Sequence, residues 1–400
     1  MSASMKTCYQ INLQLSLGGG EIYTRFLTVA LRELGYEPVL FTHADAPFWP
    51  RLLPPGTRLV PVRTLPEIEQ MLAEESGHDG RRATVITHSA LPAEAARRFA
   101  AAYRLAGMLH MPLYERFPDG LPQYHCLLAV SAHVIASARS RGLVNVHDLP
   151  LYGVADLAPR GGMPEVATDG TIRARALYDW DRRKVRDRLL GWLEARGRSG
   201  ATDARAQVFR RRPGLTLGIV SRITPIKQFP LMFSILAPVL ACHPAVNLEI
   251  FGSGGYASIR DLRRALLPAR QQVRFWGRQD DVASIYPQLD YVLSGLPEKE
   301  ALGLNLIEAQ CCNTPVLAVR APPFTESVVD CETGFLFEDP RQDQGRSFAE
   351  LLARIVVGTR LLEPRRADAH LARFSAAAFR ERLAAALRAL DVGSATPAGS

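Results

Sequence analysis

The chain has 400 residues, of which 47% are hydrophobic and 22% charged, and its formal net charge is +8. This is the composition of a soluble globular protein with room for two domains. The chain contains no apolar run long enough to cross a bilayer, and Met1–Gly20 has no apolar block that would make a signal peptide. We therefore expect a cytoplasmic protein.

Charge and cysteine usage narrow the class of protein further. The basic surplus suits phosphorylated ligands or a membrane surface, and no nucleic-acid-binding motif accompanies it. The cysteines form no CxxC pair and no His/Cys spacing typical of zinc. Most lie in apolar runs, which predicts reduced, buried thiols at Cys8, Cys126, Cys242, Cys311, Cys312 and Cys331.

Short apolar runs alternate with helical spacing in the first half of the chain. Gly18, Gly19 and Gly20 lie between the first predicted strand and a helix at Ile22–Leu34, where they would let a ligand approach the backbone or simply form a tight turn. The loop is not GxGxxG, which argues against a nicotinamide dehydrogenase. The predicted strands are Tyr9–Leu15, Pro38–Thr42, Arg58–Val62, Thr84–Thr87, Leu105–Leu109, Leu127–Val130 and Val144–Leu149.

His110 directly follows the predicted strand Leu105–Leu109. A histidine at the carboxyl end of a strand can bond a sugar hydroxyl or relay a proton, although a structural role accounts for a lone loop histidine equally well.

An Arg-rich segment at about 159–213 separates the two halves. Apolar spacing from Ala176 to Leu193 predicts a helix within 172–198. Its acidic residues dilute the positive face and favour a solvated linker helix, while contact with anionic lipid stays open. Asp179-Trp180-Asp181 resembles a DxD metal motif, but that motif belongs at a strand end and this segment is predicted helical.

The second half repeats the alternation of strands and helices. Buried strands separated by helices indicate parallel sheets with helices on both faces, and two such halves make two doubly wound domains. The predicted strands are Leu215–Ser221, Asn247–Gly252, Val273–Gly277, Tyr291–Leu293, Val316–Val319 and Phe335–Phe337.

The segment Pro297–Pro315 carries the strongest candidate site. Gly303 and Leu304 open a predicted helix just after a parallel strand, where free N–H groups and the helix dipole suit an anion such as phosphate. Glu308 lies about 7 Å further along the helix axis, where its carboxylate can accept hydrogen bonds from a ribose diol. Glu300 lies in the loop on the other side of the phosphate position, where its carboxylate could bind the hydroxyls of a sugar. Both glutamates also fit ordinary solvent-facing positions.

Two cations follow the first strand of the second half. Arg222 and Lys227 would face the same edge of the sheet as Gly303, and an Arg fork with a Lys point charge suits a diphosphate. Ordinary surface basicity is the alternative for these two residues taken alone.

The ordered set of these motifs resembles the retaining glycosyltransferases of family 4, which have the GT-B fold. The most specific part is the Glu-x7-Glu motif from Glu300 to Glu308. Ala301 and Leu302 depart from the usual Gly-Phe of that motif, and Tyr152 replaces a usual Asn. The other matching segments are Gly18–Glu21, Tyr152–Asp156, Arg222 with Lys227, Leu248–Gly255 and Val273–Arg278.

The resemblance implies two Rossmann-like, doubly wound α/β domains facing across an interdomain cleft. An acceptor domain would span 1–158, a basic linker or insertion 159–213, and a nucleotide-sugar donor domain 214–372. A C-terminal helix at about 373–392 would pack back on the first domain.

The resemblance also implies roles for the candidate residues. Arg222, Lys227, Gly303 and Leu304 would bind the diphosphate, Glu308 the ribose, and Glu300 the donor sugar. Backbone near Arg278 would meet the base. His110 and the loop with Gly19 and Gly20 would lie near the reacting sugar and the acceptor.

The implied activity is metal-independent, retaining transfer of a sugar from a nucleotide diphosphate sugar to an acceptor hydroxyl. The acceptor would be a saccharide or a lipid-linked molecule, in polysaccharide, lipopolysaccharide or glycolipid synthesis. No cofactor beyond the co-substrate is expected, nucleic acid is not a partner, and peripheral contact with the inner face of the membrane stays open. A sugar-nucleotide-binding protein without transferase activity, or an epimerase or hydrolase on the same fold, is the alternative.

Overall fold

A computed structural model describes residues 6–75, 83–114, 117–155, 172–180, 184–198, 207–358 and 362–393. The chain divides into two compact units, one made of Met1–Val154 with Ala372–Ser400 and the other of Ala155–Leu371. The described parts of the segment 159–213 therefore belong to the second unit. Asp181, the last residue of the DxD-like tripeptide, lies outside the described residues.

The first unit is built on a parallel sheet. Within the described residues it has six strands in the order β3-β2-β1-β4-β5-β6. The strands are buried apolar runs, which is typical of a sheet covered on both faces. Their bounds are β1 Lys6–Asn12, β2 Tyr36–His43, β3 Arg58–Val62, β4 Thr84–Thr87, β5 Arg104–Leu109 and β6 Cys126–Ala129.

Helices connect these strands. The first, α1, buries Tyr23, Leu27, Ala30 and Leu31, whose spacing of three and four residues places them on one face. The described helices here are α1 Gly19–Glu33, α2 Trp49–Leu52, α3 Leu65–Glu75, α4 Ala93–Ala102 and α5 Ala132–Ser140, with a 3₁₀ turn at Leu121–Gln123.

The strand predicted at Val144–Leu149 is wrong. This segment makes one isolated bridge, between Leu127 and Val146, and the Val144 side chain is 97% exposed. The Asn145 amide instead donates to the carbonyl oxygens of Leu121 and Tyr124 and ties the segment down as a loop. The apolar run predicted a buried strand, but Val144 and Leu149 within it are exposed.

The second unit repeats the architecture. Its described strands form a six-stranded parallel sheet in the order β12-β11-β10-β7-β8-β9. The strand bounds are β7 Leu215–Val220, β8 Val246–Phe251, β9 Val273–Gly277, β10 Tyr291–Leu293, β11 Val316–Val319 and β12 Gly334–Phe337. All six predicted strands of this half are confirmed, with ends that differ by one residue at most.

Helices also flank the second sheet. Buried side chains of the long apolar helix that follows β7 pack into one core with the strands. The described helices are α6 Val185–Arg198, α7 Phe229–Ala241, α8 Tyr256–Ala265, α9 Leu304–Cys311, α10 Phe324–Ser327, α11 Pro340–Asp343, α12 Arg346–Val356 and α13 Asp368–Ala372, and 3₁₀ turns lie at Leu267–Ala269, Tyr286–Gln288 and Pro364–Arg366. The last helix, α14 at Ala376–Gly393, belongs to the first unit and packs on α1.

The helix predicted within 172–198 is only half right. Helix α6 begins at Val185, whereas the residues from Ile172 to Trp180 are extended. The backbone N–H of Arg175 donates to the Trp276 carbonyl at 2.9 Å, and that of Asp179 donates to the Gly254 carbonyl at 2.9 Å. These bonds to strand β9 and to the loop after β8 outweigh the helical spacing. The Asp179 carboxylate accepts a 2.7 Å hydrogen bond from the Ser253 hydroxyl.

A buried carboxylate organises one edge of the second sheet. Glu249 on β8 is fully buried and accepts hydrogen bonds from Arg274, from Arg212 at 3.1 Å and from the Trp276 indole at 2.7 Å. Both arginines keep about a quarter of their side chains exposed, at 26% and 28%. Glu249 therefore pairs with two cations that reach water only in part.

Replacing Glu249 with alanine is expected to destabilise this unit by about 2–3 kcal/mol, because two cations and an indole N–H lose their acceptor. Thermal unfolding followed by tryptophan fluorescence should show a midpoint lower by roughly 5–10 °C. Glu332→Ala, at an exposed glutamate, is the matched control and should change the midpoint little. Equal midpoints for the two variants would contradict this role of Glu249.

All six cysteines are free thiols. Cys8, Cys126 and Cys312 are buried as predicted, and Cys311 is partly buried. The expectation of burial is wrong for Cys242 and Cys331, which are exposed because they lie at a helix end and in a turn rather than in the core. None of the helices in the described ranges has the length and apolarity that a membrane crossing needs.

Candidate active site

The strand order of the second unit creates a crevice between β7 and β10. These neighbouring strands are where the order of connections reverses, so the loops after them diverge to opposite faces of the sheet. The loop after β7 carries Lys227, and the loop after β10 carries Glu300. Two residues far apart in the sequence are thereby placed at one point on the carboxyl edge.

Lys227 and Glu300 form an ion pair in this crevice. The Lys227 ammonium donates to a Glu300 carboxylate oxygen, and the two side chains are only 20% and 14% exposed. The loops meet closely because Gly295 has no side chain: a Cβ there would lie 2.2 Å from the Lys227 carbonyl oxygen. Gly295 thus allows the two loops to pack directly against each other.

Helix α9 begins beside this pair. Its N-cap is Gly303, whose φ of +78° lies in the left-handed region that favours glycine. A Cβ at Gly303 would also lie 3.1 Å from the Phe324 ring. The Leu306 N–H donates to the Gly303 carbonyl oxygen at 2.9 Å. The N–H groups that precede it, beginning at Leu304, point out of the helix end and suit an anion.

Glu308 lies on α9, partly buried, with its carboxylate bonded to a buried tyrosine. The Tyr286 hydroxyl donates to Glu308 Oε2 at 2.8 Å. Burial raises the pKa of Glu308 from 4.5 to about 7, although the Tyr286 hydrogen bond and the nearby charge of Lys227 act in the opposite direction. Lys227, which is paired with Glu300, therefore also lies close enough to Glu308 to lower the pKa of its carboxyl.

Arg222 lies where the loops after β7 and β8 pack together. A Cβ at Gly252 would lie 1.8 Å from the Ser221 carbonyl oxygen, so only glycine permits this approach. Arg222 is exposed at this junction. Arg278, also exposed, follows β9 on the same edge, and its Nε lies 3.7 Å from Asp280 Oδ1. The candidate residues of the second unit thus all lie at the carboxyl edge of one sheet.

The candidates of the first unit are likewise brought together. Helix α1 begins at Gly19, and a Cβ built on Gly20 would lie 3.8 Å from the His110 ring. A Cβ at Gly19 would meet no atom within 4 Å, so packing does not require glycine there. His110 in turn contacts His88, with 3.2 Å between His88 Nδ1 and His110 Nε2.

The chain resembles known glycosyltransferases in sequence and in fold. Residues 202–362 match the family described as glycosyl transferases group 1. The whole chain also superimposes on the crystal structure of Anabaena Alr3699/HepE in complex with UDP and glucose, with a TM-score of 0.67 and 16% identity, covering 96% of this chain and 99% of that one. The chain is a glycosyltransferase of the GT-B fold.

Curated relatives of this glycosyltransferase carry related names. It is 25% identical to the D-inositol 3-phosphate glycosyltransferase of Rhodococcus erythropolis over 86% of this chain and 80% of that protein. It is 32% identical to the GDP-mannose-dependent monoacylated alpha-(1-6)-phosphatidylinositol monomannoside mannosyltransferase of Corynebacterium glutamicum, over 34% of this chain and 36% of that protein.

Three residues of the glycosyltransferase site were missed by the sequence analysis. Tyr286 and Gly295 act through contacts between segments far apart in the chain, and no local pattern marks them. His88 had a usable signal, since it directly follows the predicted strand Thr84–Thr87 just as His110 follows Leu105–Leu109.

No cluster of three or more His, Cys, Asp or Glu side chains suited to a metal ion occurs in the described parts of the glycosyltransferase. Metal independence stays a prediction.

Proposed function

We propose that this glycosyltransferase moves a sugar from a nucleotide diphosphate sugar to an acceptor hydroxyl with retention at the anomeric carbon and without a metal ion. The observation that carries the proposal is the crevice at β7 and β10, where a cation, a helix N-terminus and two carboxylates converge. Each group matches one part of a sugar–diphosphate–ribose ligand.

The diphosphate would bind between Lys227, Arg222 and the N–H groups of Gly303 and Leu304. When the glycosidic bond breaks, the leaving diphosphate gains negative charge, and fixed cations and helix N–H groups stabilise that charge without reorganising. Lys227 would then exchange Glu300 for phosphate, and Glu300 would accept hydrogen bonds from the donor sugar.

The ribose would bind at Glu308, and the base would lie near the backbone of Arg278. An ionised Glu308 accepts two hydrogen bonds from a vicinal diol, and Tyr286 holds one carboxylate oxygen in place. In the first unit, Gly19, Gly20 and His110 would contact the reacting sugar and the acceptor. The names of the relatives support a saccharide or lipid-linked acceptor in glycolipid synthesis.

Product analysis tests this proposal directly. Purified protein with added chelator is incubated with UDP- and GDP-sugars, with and without an inositol phosphate or a phosphatidylinositol glycoside, and the product anomer is read by NMR. We expect transfer with retained configuration that depends on acceptor. Inversion, or loss of activity on chelation, would contradict the proposal, and donor consumption without acceptor would favour an epimerase or hydrolase.

We further propose that α6 contacts an anionic membrane surface. Gly191 and the buried Asp187 face inward, and a Cβ at Gly191 would lie 3.2 Å from the Trp180 ring. At about 100° per residue the opposite face of the helix carries an exposed apolar stripe. The stripe is Val185 at 63%, Leu189 at 55%, Trp192 at 50% and Leu193 at 53% exposed.

Cations flank this stripe and decide which partner it fits. Arg186 and Arg188 are exposed on either side of it, and the Arg196 guanidinium lies 4.0 Å from the centre of the Trp192 ring. Arg186 is paired with Asp187 at 2.9 Å, so Arg188 and Arg196 carry most of the attraction to lipid. A helix with an apolar stripe edged by arginines fits the headgroup region of an anionic bilayer, where each cation contributes about 1 kcal/mol. This charge complementarity favours lipid over a protein partner.

Vesicle sedimentation tests the membrane contact. We expect the wild-type protein to partition at least tenfold more strongly to vesicles containing phosphatidylglycerol than to neutral phosphatidylcholine vesicles. Leu189→Ser with Trp192→Ser should abolish most of that preference, whereas Val144→Ser, at an exposed valine outside α6, should leave it unchanged. Equal binding to both vesicle types, or no binding to either, would contradict the proposal and leave a protein partner for this stripe.

A further inference from the structure

A buried polar network lies at the switch point of the first unit. Strands β1 and β4 are neighbours from which the connections diverge, and His88 directly follows β4. His88 is 6% exposed and is surrounded by polar side chains that are themselves buried, Gln10, Asn12, Thr24 and Thr28. Because each of these groups has few donors and acceptors, the network restricts where the protons lie.

The chain of donors begins at a backbone carbonyl. The Thr28 hydroxyl donates to the Thr24 carbonyl oxygen at 2.8 Å, so Thr28 Oγ1 accepts from its other neighbour. That neighbour is the Gln10 amide nitrogen, at 2.9 Å. The orientation of the amide is thereby fixed, and Gln10 Oε1 faces His88 Nε2 at 3.2 Å.

The protonation of His88 follows from this orientation. An amide oxygen only accepts, so His88 Nε2 carries the proton. Burial, reinforced by the neighbouring His110, holds the pKa of His88 well below its ordinary value, so the ring is neutral and Nδ1 is an acceptor. His110 Nε2 lies 3.2 Å from that acceptor.

Two unprotonated nitrogens at this separation would repel each other, so His110 Nε2 carries its proton. Thr24 Oγ1 also lies 3.2 Å from His88 Nδ1, and its hydroxyl can donate either there or to the Gly20 carbonyl oxygen at 3.0 Å while it accepts from Asn12 at 2.9 Å. In both arrangements His88 Nδ1 stays an acceptor, so Thr24 does not change this result. The His110 ring packs parallel to His88, with 5.4 Å between centroids, and edge-on to Tyr23 at 5.5 Å.

We infer that His88 is a positioning residue that holds His110 as the Nε2–H tautomer and leaves His110 Nδ1 as a hydrogen-bond acceptor. No described residue bonds that Nδ1 atom. Burial lowers the pKa of His110 to about 4, which agrees with a neutral ring at pH 7. The consequence for catalysis rests on the proposed function: His110 accepts a hydrogen bond from a sugar hydroxyl at Nδ1 and does not act as an acid.

The tautomer is measured by ¹⁵N NMR of protein labelled at histidine, with His110 assigned by its absence in His110→Gln. At pH 7.5 we expect a protonated Nε2 and an unprotonated Nδ1 in the wild type. A wild-type His110 with protonated Nδ1, or with both nitrogens protonated, would overturn the inference. This measurement needs no altered residue in the network.

A second variant is designed to reverse the direction of the hydrogen bond between His88 and His110. Gln10→Glu is isosteric and places a carboxylate against His88 Nε2, which favours the doubly protonated His88 and turns its Nδ1 into a donor. His110 should then switch to the Nδ1–H tautomer, with its Nε2 accepting from His88. An unchanged His110 tautomer in a folded Gln10→Glu protein would overturn the role of His88.

Activity separates this inference from the proposed function. If His110 switches in Gln10→Glu, kcat for sugar transfer should fall about 10- to 100-fold at unchanged acceptor KM. A tautomer switch with full transfer activity would leave the role of His88 standing and would refute the sugar contact of His110.

Discussion

Replacing Lys227 with alanine is expected to lower kcat/KM for the sugar nucleotide by about 100- to 1000-fold. The ammonium lies in a crevice where it is only 20% exposed and already paired with Glu300, so a bound diphosphate would meet a cation that is held in place. Most of the loss should fall on kcat, because the charge that Lys227 stabilises grows as the diphosphate departs. Steady-state kinetics with saturating acceptor measures it.

The matched control for this prediction is Lys299→Ala. Lys299 is exposed and lies in the same loop as Glu300, so its loss changes the net charge equally without removing a cation from the crevice. We expect kcat/KM within about twofold of the wild type, since exposed charges are screened. Equal losses for the two lysines would show that the general field of the protein, and not the paired Lys227, is responsible.

Binding of the sugar nucleotide is expected to strengthen as pH rises through about 7. Burial raises the pKa of Glu308 to about 7, and only the ionised carboxylate accepts two hydrogen bonds from a ribose diol. Affinity should therefore rise about tenfold between pH 6 and pH 8, following the ionised fraction of a single group. Isothermal calorimetry with an intact sugar nucleotide is suitable, because its diphosphate does not titrate in this range.

The glutamine variant provides the control for this pH dependence. Glu308→Gln should bind weakly at pH 8 and lose the dependence, because the amide stays neutral. Tyr286→Phe should move the midpoint of the dependence upward, because the Tyr286 hydrogen bond lowers the pKa of Glu308. An undiminished pH dependence in Glu308→Gln would exclude Glu308 as the titrating group.

The same shift affects the stability of the free protein. The folded state holds the Glu308 proton more tightly than the unfolded chain does, so stability contributed by this group is greatest below about pH 4.5 and falls as pH rises to about 7. A bound ligand with hydroxyl donors would offset that loss above pH 7.

The sheets could be predicted from the sequence because their strands are continuous apolar runs. The strands at Arg58–Val62, Thr84–Thr87, Val273–Gly277, Tyr291–Leu293 and Val316–Val319 have the predicted bounds. The prediction failed where an apolar run is exposed, at Val144–Leu149, and where extended pairing overrides helical spacing, between Ala176 and Trp180. Burial and pairing with distant backbone depend on tertiary structure, which spacing alone does not record.

The candidate site shows the same division. Gly303, Leu304 and Glu308 belong to one loop and helix, so the predicted helix start followed from local sequence. For Lys227 and Glu300, the sequence predicted only that their loops lie at the same edge of the sheet and did not predict the ion pair. Tyr286 and Gly295 depend on contacts between the loops, and the hydrogen-bond path from Thr28 to His110 depends on four side chains from four segments.

The most direct measurement is a crystal structure of the protein with a nucleoside diphosphate bound, obtained with both UDP and GDP. We expect the diphosphate in hydrogen-bond contact with Lys227 Nζ and the backbone N–H of Leu304, the Lys227–Glu300 pair separated, and the ribose hydroxyls on Glu308. A nucleotide bound elsewhere, with Lys227 still paired to Glu300 and Glu308 bonded to Tyr286 alone, would contradict this expectation.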